Sequence, residues 1–563
     1  MTLSKHHNWR IPLNLAIRLL LLSVVASTAA FAQHPASPQG KIQHVIIVVQ
    51  ENRTPDNLFG SNPTFLPGVN LATSGLIKGE PNITLFPEPM LTCYGLGHTH
   101  ESFTETYDHG ALDGAYKNNV HITKDCTAPA NPEYSYVDNT STDNPPNEVQ
   151  PYFDMAKQFG FANYMFQTNQ GPSFPAHLFL FSGTSAPVYN DGESTPYYEW
   201  FVAENALNTA VTGCFGAPTN IASEIGPGQT KESPGWTNPN LVGATAGYTC
   251  YDHPTMANVL DAAGITWRYY TPQATGLWTA PNAFQPICNS TVAGDGCVAT
   301  EENPDWNFVI DENSNNSPPN PAQILQDIQN CNLAQVSWVL PDGAWSDHAG
   351  SGDGVTGVPL TALGPSWVGS IVNAIGQGMA GSACNPLNAP AYWSNTVILV
   401  MWDDWGGFYD HVKPPSQGYI NTGGIGSEYL YGFRVPMLVI SAYSPQPGYI
   451  SGTAANNTVT ACPTKPNSRY CHDFGSILNF VEYTFGSGGK SLGEIYPAYH
   501  YADYYALDGP NNSTCTPTIC PYGLSDFFNF ALPPAVFTPI STPYDAQYFI
   551  TYSGAPLPPD DDD

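Results

Sequence analysis

The sequence predicts an α/β protein built around a doubly wound, mostly parallel β-sheet. The first observation is that its apolar runs are nearly continuous rather than alternating, which is typical of strands covered on both faces. These runs occupy residues 44–50, 265–270, 335–341, 395–402 and 435–443. The second observation is that helical patterns separate or follow them, at residues 147–160, 253–264, 320–330, 366–379 and 472–486. Alternation of strand and helix is typical of a doubly wound sheet.

The N-terminal segment reads as a secretory signal peptide over residues 1–32. Three cations precede or enter a short apolar stretch, and Ala30 and Ala32 flank Phe31 in an A-x-A pattern. An uncleaved anchor helix is the alternative, but the apolar stretch is well below the roughly 20 residues that span a bilayer. We therefore expect a periplasmic or extracellular protein, cleaved near Ala32, without stable membrane insertion.

The remaining chain divides into one large catalytic region and a tail. We expect a domain over residues 33–500, with loop-rich insertions near 186–250 and 271–320, where proline and glycine cluster. Residues 501–563 are expected to form a loop-rich extension that ends in an acidic tail. The sequence does not predict an oligomeric state.

Charge and cysteine content limit the classes of partner. The net charge is -31 with only 16 Lys and Arg residues, so the basic stripe that nucleic acid requires is missing. Twelve cysteines in an exported chain predict disulfides. The closest spacings suggest local pairs at Cys288–Cys297, Cys462–Cys471 and Cys515–Cys520, although spacing alone does not fix connectivity.

Polar residues that could bind a metal follow the predicted strands. Glu51-Asn52 comes after the first run and Asp403-Asp404 after the fourth. Ligands bind at the carboxyl ends of strands in open α/β sheets, and carboxylate and amide oxygens suit a divalent cation. The alternative is that one aspartate caps the turn at "WGG". The two pairs together favour a shared metal site.

A nucleophile candidate precedes a predicted helix. Ser173 lies in "GPSFPAH", where a helix N-terminus offers free N–H groups and positive potential to a phosphate. A serine that only caps the helix is the common alternative. His98 and His348 are candidates for protonating a leaving alcohol, although an isolated histidine is more often structural.

The ordered set of motifs resembles a family of bacterial secreted phosphoesterases. That family includes phosphatidylcholine-type phospholipases C and an acid phosphatase, within the alkaline-phosphatase-like superfamily. The motifs are "IQHVIIVVQENRTPDNLFG", "GPSFPAH", "SGTS", "PDGAWSDH", "VILVMWDDWGGFYDHVKPP", "GFRVPMLVIS" and "FGSILNFVEYTFG", which together span about residues 42–485.

The resemblance implies a three-layer α/β/α sandwich with a mostly parallel central sheet and long disulfide-pinned loops. It implies that a divalent metal cation is bound by Glu51, Asn52, Ser173, Asp403 and Asp404. It also implies that Ser173 is the nucleophile and that His98 and His348 contact phosphate or protonate the leaving group. The candidates for supporting contacts around this site are Arg53, Asp347, Asp410, His411 and His472.

These features predict a secreted metal-dependent phosphoric ester hydrolase of acid-phosphatase type, with a phosphoseryl intermediate. The substrate would be a small phosphoester or a phospholipid. One alternative is a phospholipase C that acts on lipid phosphodiesters, because relatives of this type fall in the same family. Another is a non-catalytic surface or matrix protein on the same fold. A sulfatase is disfavoured because "SFPAH" lacks the arginine of the C/S-x-P-x-R motif.

Overall fold

The computed structural model describes most of the chain between Ser37 and Tyr552. The described residues are 37–122, 127–140, 146–186, 201–225, 248–272, 275–288, 308–310, 322–350, 361–415, 431–453, 462, 469–498, 500–512, 515 and 517–552. The predicted signal peptide, much of both predicted insertions and the acidic tail lie outside these residues.

A sheet of eight strands forms the centre of the described structure. In chain order the strands are β1 (His44–Gln50), β2 (Gly160–Ala162), β3 (Trp267–Thr271), β4 (Phe308–Ile310), β5 (Val336–Val339), β6 (Thr396–Trp402), β7 (Met437–Ser441) and β8 (Tyr449–Ser451). Their spatial order is β4-β3-β5-β1-β6-β7-β2-β8. Seven strands share one direction and β7 runs against them. The predicted α/β fold with a mostly parallel sheet is confirmed.

Burial explains why apolar and polar residues do not alternate along the central strands. Every residue of β6 is buried, and so is every residue of β1 except its first. Strands covered on both faces select β-branched and apolar residues at each position, as in "VILVMW".

Seven helices of seven or more residues are described. They are α1 (His100–Tyr107), α2 (Gln150–Gln158), α3 (Ser173–Ser182), α4 (Met256–Ala263), α5 (Gln323–Gln329), α6 (Gly364–Gln377) and α7 (Phe474–Phe485). Helix α6 packs on α2 and α5, whereas α3 packs on α4 and α7. Six of these seven helices therefore fall into two packed groups, one of α2, α5 and α6 and the other of α3, α4 and α7.

Short elements complete the described part of the chain. Short helices cover Pro55–Leu58, Gln285–Cys288, Ala502–Tyr505 and Ala546–Ile550. Two-stranded ladders pair Ser74–Gly75 with Ile83–Thr84, Phe86–Glu88 with Ser135–Val137, Tyr94–Leu96 with Val120–Ile122, Met165–Phe166 with His472–Asp473, and Phe201–Ala206 with Ala222–Ile225. None of the described helices is long and apolar enough to cross a bilayer.

Four disulfides join described cysteines. The predicted local pairs Cys462–Cys471 and Cys515–Cys520 are confirmed. Cys214–Cys250 and Cys331–Cys384 close longer loops of 36 and 53 residues, which local spacing did not indicate. The third predicted pair includes Cys297, which lies outside the described residues.

Residues after 500 pack against the same core as the sheet. Phe527 contacts the ring of Tyr449 at a centroid distance of 5.6 Å, and Phe549 contacts Trp345 and Trp367 at 5.1 and 5.3 Å. Tyr449 is half-buried, and the other four rings are buried. The described part of the C-terminal extension is thus integrated with the sheet-centred core.

Candidate active site

Two parallel neighbours, β1 and β6, bring the predicted Glu51-Asn52 and Asp403-Asp404 pairs together. Gln50 at the end of β1 is in register with Trp402 at the end of β6. Glu51 and Asp403 are therefore the next residues on adjacent strands, and the Asp403 amide donates to the Gln50 carbonyl at 3.0 Å. The backbone amide of Asn52 in turn donates to Asp403 Oδ1 at 3.1 Å. The strand register, rather than any local signal, creates this acidic centre.

The turns after both strands require unusual backbone conformations. Asn52 has a φ of 61°, in the left-handed region that asparagine tolerates better than most residues. Gly406 and Gly407 have φ values of 60° and 75°. A side chain on Gly407 would approach Leu96 and the Gly97 carbonyl within 2.6–2.8 Å, so glycine permits close contact with the segment that carries His98.

Ser173 reaches the acidic centre from helix α3. It is the first residue of that ten-residue helix, and its Oγ donates to Asp404 Oδ2 at 3.1 Å. The other Asp404 oxygen accepts from the Gly406 amide at 2.7 Å. The predicted nucleophile and the predicted acidic pair therefore meet in the folded chain.

His177 is a site residue that sequence reasoning missed. Its Nε2 lies 3.5 Å from Glu51 Oε1 and 3.6 Å from Asp403 Oδ2. One helical turn separates His177 from Ser173, and an i, i+4 spacing places both side chains on one face of α3. That spacing in "SFPAH" was the available signal.

Electrostatics at this centre are dominated by burial. Burial raises the pKa of Glu51 well above its ordinary value, and the carboxylates of Asp403, Asp404 and Asp347 raise it further. Burial alone would also raise the pKa of Asp403, but contacts with Glu51 and His177 bring it below its usual range. Burial lowers the pKa of His177 to about 4, so its imidazole is neutral near pH 7.

The donor set fits a divalent cation. Within the described part of the chain, six fully buried atoms of this cluster have no hydrogen-bond partner: Glu51 Oε1 and Oε2, Asn52 Oδ1, Asp403 Oδ2, and both ring nitrogens of His177. A buried polar atom without a partner costs about 1–3 kcal/mol or more, and buried carboxylates normally pair or bind a metal. Oxygen and imidazole donors that converge in this way are typical of metal ligands.

His98 and His348 lie beside this centre. The His98 Nδ1 contacts the Leu96 carbonyl at 2.8 Å, and its Nε2 lies 3.1 Å from Asn52 Nδ2 and 4.0 Å from Asp404 Oδ2. The ring of His348 is 5.9 Å from that of His98, edge to face. The structure thus brings both predicted histidines close to each other, with His98 next to Asp404.

Arg53 and Asp347 support the loop that carries His348. The buried guanidinium of Arg53 donates to the Asp347 carbonyl, with Nε at 2.8 Å, and stacks 4.9 Å from the ring of Phe408. The Asp347 carboxyl accepts from Tyr152 at 2.7 Å and Trp402 at 3.1 Å. Burial raises the pKa of Asp347 to about 7.

Asp410, His411 and His472 do not join the acidic centre. Asp410 pairs with the buried guanidinium of Arg434, whose Nε and Nη2 donate to it at 2.9–3.1 Å, and His411 Nδ1 contacts Asp56 at 2.7 Å. Arg434 lies near the carboxyl end of β6 because β7 is antiparallel to β6. The residues that precede β7, rather than those that follow it, therefore lie at that end of the sheet.

His472 belongs to a second buried cluster. Its Nδ1 contacts Asp508 Oδ2 at 2.8 Å, and its Nε2 lies 2.8 Å from Ser451 Oγ and 3.7 Å from Asp526 Oδ1. Two of these residues lie in the C-terminal extension. His472 therefore connects that extension to the sheet instead of supporting the Glu51–Asp403 centre.

Comparison with known proteins identifies the family. Residues 42–487 match the sequence model of the Phosphoesterase family. This match covers most of the 563 residues and includes every residue of the acidic centre. The chain belongs to the Phosphoesterase family.

Several similar proteins carry the name phospholipase C. The chain is 23% identical over 542 residues to the non-hemolytic phospholipase C of Pseudomonas aeruginosa, covering 88% of this chain and 62% of that protein. It is 30% identical over 223 residues to phospholipase C B of Mycobacterium tuberculosis, covering 36% of each. It is 22% identical over 369 residues to the hemolytic phospholipase C of Pseudomonas aeruginosa, covering 60% of this chain and 39% of that protein. The chain thus spans less than two thirds of the length of these relatives.

Proposed function

We propose that the protein is a metal-dependent phosphoric ester hydrolase with Ser173 as its nucleophile. The observation that carries this proposal is the contact between Ser173 and Asp404, which lies beside the buried carboxyl groups of Glu51 and Asp403. Membership of the Phosphoesterase family supports the reaction class. The first residue of α3 is also where a helix offers N–H groups to an anion.

The proposed ligands of the cation are Glu51, Asn52, Ser173, Asp403 and Asp404. When bound, a divalent cation supplies Lewis-acid stabilisation of phosphoryl oxygens and lowers the pKa of a serine hydroxyl. Six buried donor atoms of this cluster have no hydrogen-bond partner among the described residues, which supports a cation at this position.

The side chains have distinct roles in the proposed reaction. Ser173 Oγ attacks phosphorus while Asp404 Oδ2, its hydrogen-bond acceptor, takes the hydroxyl proton. The bond from phosphorus to the leaving oxygen breaks, and His98 or His348 protonates that oxygen. Water then hydrolyses the phosphoserine: the imidazole takes a proton from the water, and Asp404 returns a proton to Ser173.

The nucleophile is tested with Ser173→Ala in the full-length protein. We expect turnover of p-nitrophenyl phosphate to fall by more than about 10⁴-fold, as for other nucleophile deletions. Ser182→Ala is the matched control, because Ser182 lies in the same helix and its hydroxyl donates to the Leu178 and Thr184 carbonyls. Near-normal turnover by the Ser173 variant would exclude it as the nucleophile.

The substrate class is the point on which two candidates remain. We propose an acid-phosphatase-like preference for monoesters, and the names of the relatives favour a phospholipase C as the second candidate. Rates on p-nitrophenyl phosphate and p-nitrophenylphosphorylcholine separate the two. Turnover of neither compound, in a protein saturated with divalent cation, would favour the non-catalytic surface protein.

We further propose that residues 1–32 are removed on secretion and that the fold is a three-layer α/β/α sandwich of alkaline-phosphatase type. The two separate helix groups support the layered arrangement. N-terminal sequencing of the exported protein should begin at Gln33, and retention of residues 1–32 would overturn the cleavage proposal.

A further inference from the structure

His177 is fully buried against the acidic centre and has no role in the proposed reaction. It is 1% exposed, and neither ring nitrogen has a hydrogen-bond partner among the residues that the structure describes. A buried imidazole normally hydrogen-bonds through at least one nitrogen. This histidine therefore lacks the partners that would make it an ordinary core residue.

The geometry around Nε2 matches that of a metal ligand. Its distances of 3.5 and 3.6 Å to Glu51 Oε1 and Asp403 Oδ2 are too long for hydrogen bonds. Two atoms bound to one ion at about 2.1 Å lie about 3.0–3.6 Å apart when the angle between them is about 90–120°. His177 Nε2 is thus spaced from each of these two oxygens as two ligands of one ion are. One ligand atom from each of the three residues also lies within 4.8 Å of the other two.

We propose that His177 Nε2 is a direct ligand of the cation held by Glu51 and Asp403. This inference rests on the metal centre of the proposed function but does not depend on phosphoester hydrolysis. A nitrogen donor changes the site from all-oxygen to mixed oxygen and imidazole. The site then favours a cation with affinity for imidazole, such as Zn²⁺, over Mg²⁺ or Ca²⁺, which prefer oxygen ligands.

The test measures metal binding without substrate. Zn²⁺ and Mg²⁺ are titrated calorimetrically into the metal-stripped full-length protein and its His177→Phe variant. Loss of an outer-shell partner already costs about 10- to 100-fold in metal affinity, so we expect the loss of this ligand to weaken Zn²⁺ binding by at least about 100-fold. Mg²⁺ binding should change much less, so the selectivity ratio should fall.

His253→Phe is the matched control. His253 is also 1% exposed, but it packs on Phe284 and Tyr501 and contacts the Pro254 carbonyl at 3.0 Å. We expect this variant to keep the Zn²⁺ affinity and selectivity of the wild type. An unchanged Zn²⁺ affinity in the His177 variant, or an equal loss for both cations, would overturn the proposal.

A second measurement needs no His177 variant. Pulsed electron paramagnetic resonance of Mn²⁺-loaded wild-type protein labelled with ¹⁵N-histidine should show nitrogen coupling. The coupling should persist in His98→Phe, which removes the other imidazole near Asn52. Absence of coupling in the wild type, or its loss in the His98 variant, would overturn the proposal. Metal binding without phosphoester turnover would instead contradict only the hydrolase function.

Discussion

At the scale of single residues, Gly406 holds the Asp404 loop against Asn52. A Cβ built on Gly406 would overlap the Asn52 carbonyl and lie 2.7 Å from Asn52 Cβ. Its φ of 60° is also in the left-handed region, where an L-residue costs about 1–2 kcal/mol. The position therefore requires glycine both for its conformation and for the approach of the two turns.

We predict that Gly406→Ala weakens divalent-cation binding and destabilises the fold, because one of the two turns must move. Gly264→Ala is the control: Gly264 has a φ of 68°, and a Cβ there would meet no atom within 4 Å. We expect the control to lower the free energy of unfolding by about 1–2 kcal/mol and to leave metal affinity unchanged. Calorimetric titration and urea denaturation measure both effects. Equal metal affinity in the two variants would contradict the packing constraint at Gly406.

At the scale of elements, the antiparallel direction of β7 determines which side chains reach the edge of the sheet beyond β6. Residue Arg434 precedes β7, is fully buried and is paired with Asp410 and Asp56. Removing one partner of a buried ion pair leaves an uncompensated charge and is strongly destabilising. The Asp410-His411 segment is thus part of a structural network next to the Asp403-Asp404 turn.

The long disulfide Cys331–Cys384 constrains more chain than the local ones. It joins the end of α5 to the loop after α6 across 53 residues, whereas Cys515–Cys520 spans only 5. We predict that the double variant Cys331→Ser/Cys384→Ser lowers the free energy of unfolding by up to about 4 kcal/mol, since the chain-entropy cost grows with loop length. The matched double variant Cys515→Ser/Cys520→Ser should lose only about 2 kcal/mol. Urea denaturation measures both, and a larger loss in the short-loop variant would contradict the entropic explanation.

At the scale of the whole molecule, a strongly acidic chain buries several carboxyl groups. Burial raises the pKa of Glu133 to about 7 and that of Asp473 to about 6, the latter with help from the charge of Asp508. A raised pKa in the folded state means that the folded protein retains a proton that the unfolded chain releases. The stability from these groups is therefore full at low pH and is lost as pH rises through the folded-state pKa.

We predict that Glu133→Gln removes part of this pH dependence. In the wild type, the Glu133 contribution should decline between about pH 4.5 and 7 by roughly 3 kcal/mol, from a shift of that carboxyl to about 7. The free energy of unfolding of the variant, relative to that of the wild type, should therefore be higher at pH 8 than at pH 4.5. Urea denaturation at both pH values measures the difference, with exposed Glu80→Gln as the control. If the free energy of unfolding changed equally with pH in the wild type and in the variant, the role of Glu133 would be contradicted.

The sequence by itself determined the longer strands and the two polar pairs that follow them. Apolar runs report burial directly, so β1, β3, β5, β6 and β7 were all predicted close to their observed bounds. Strand ends in an α/β sheet share an edge, so Glu51 and Asp403 could be assigned to one site although 352 positions separate them. Short strands such as β2 and β8 were missed, because three residues carry too little periodic signal.

The tertiary structure alone decided which polar groups meet at that edge. His177 joined the acidic centre because the placement of α3 aims one face of the helix at the ends of β1 and β6, and no local pattern encodes that placement. His472 was directed to Asp508 and Ser451, and Asp410 to Arg434, because strand order and direction set those contacts. Periodicity records whether a residue is buried, whereas its partners depend on the three-dimensional arrangement of elements that are distant along the chain.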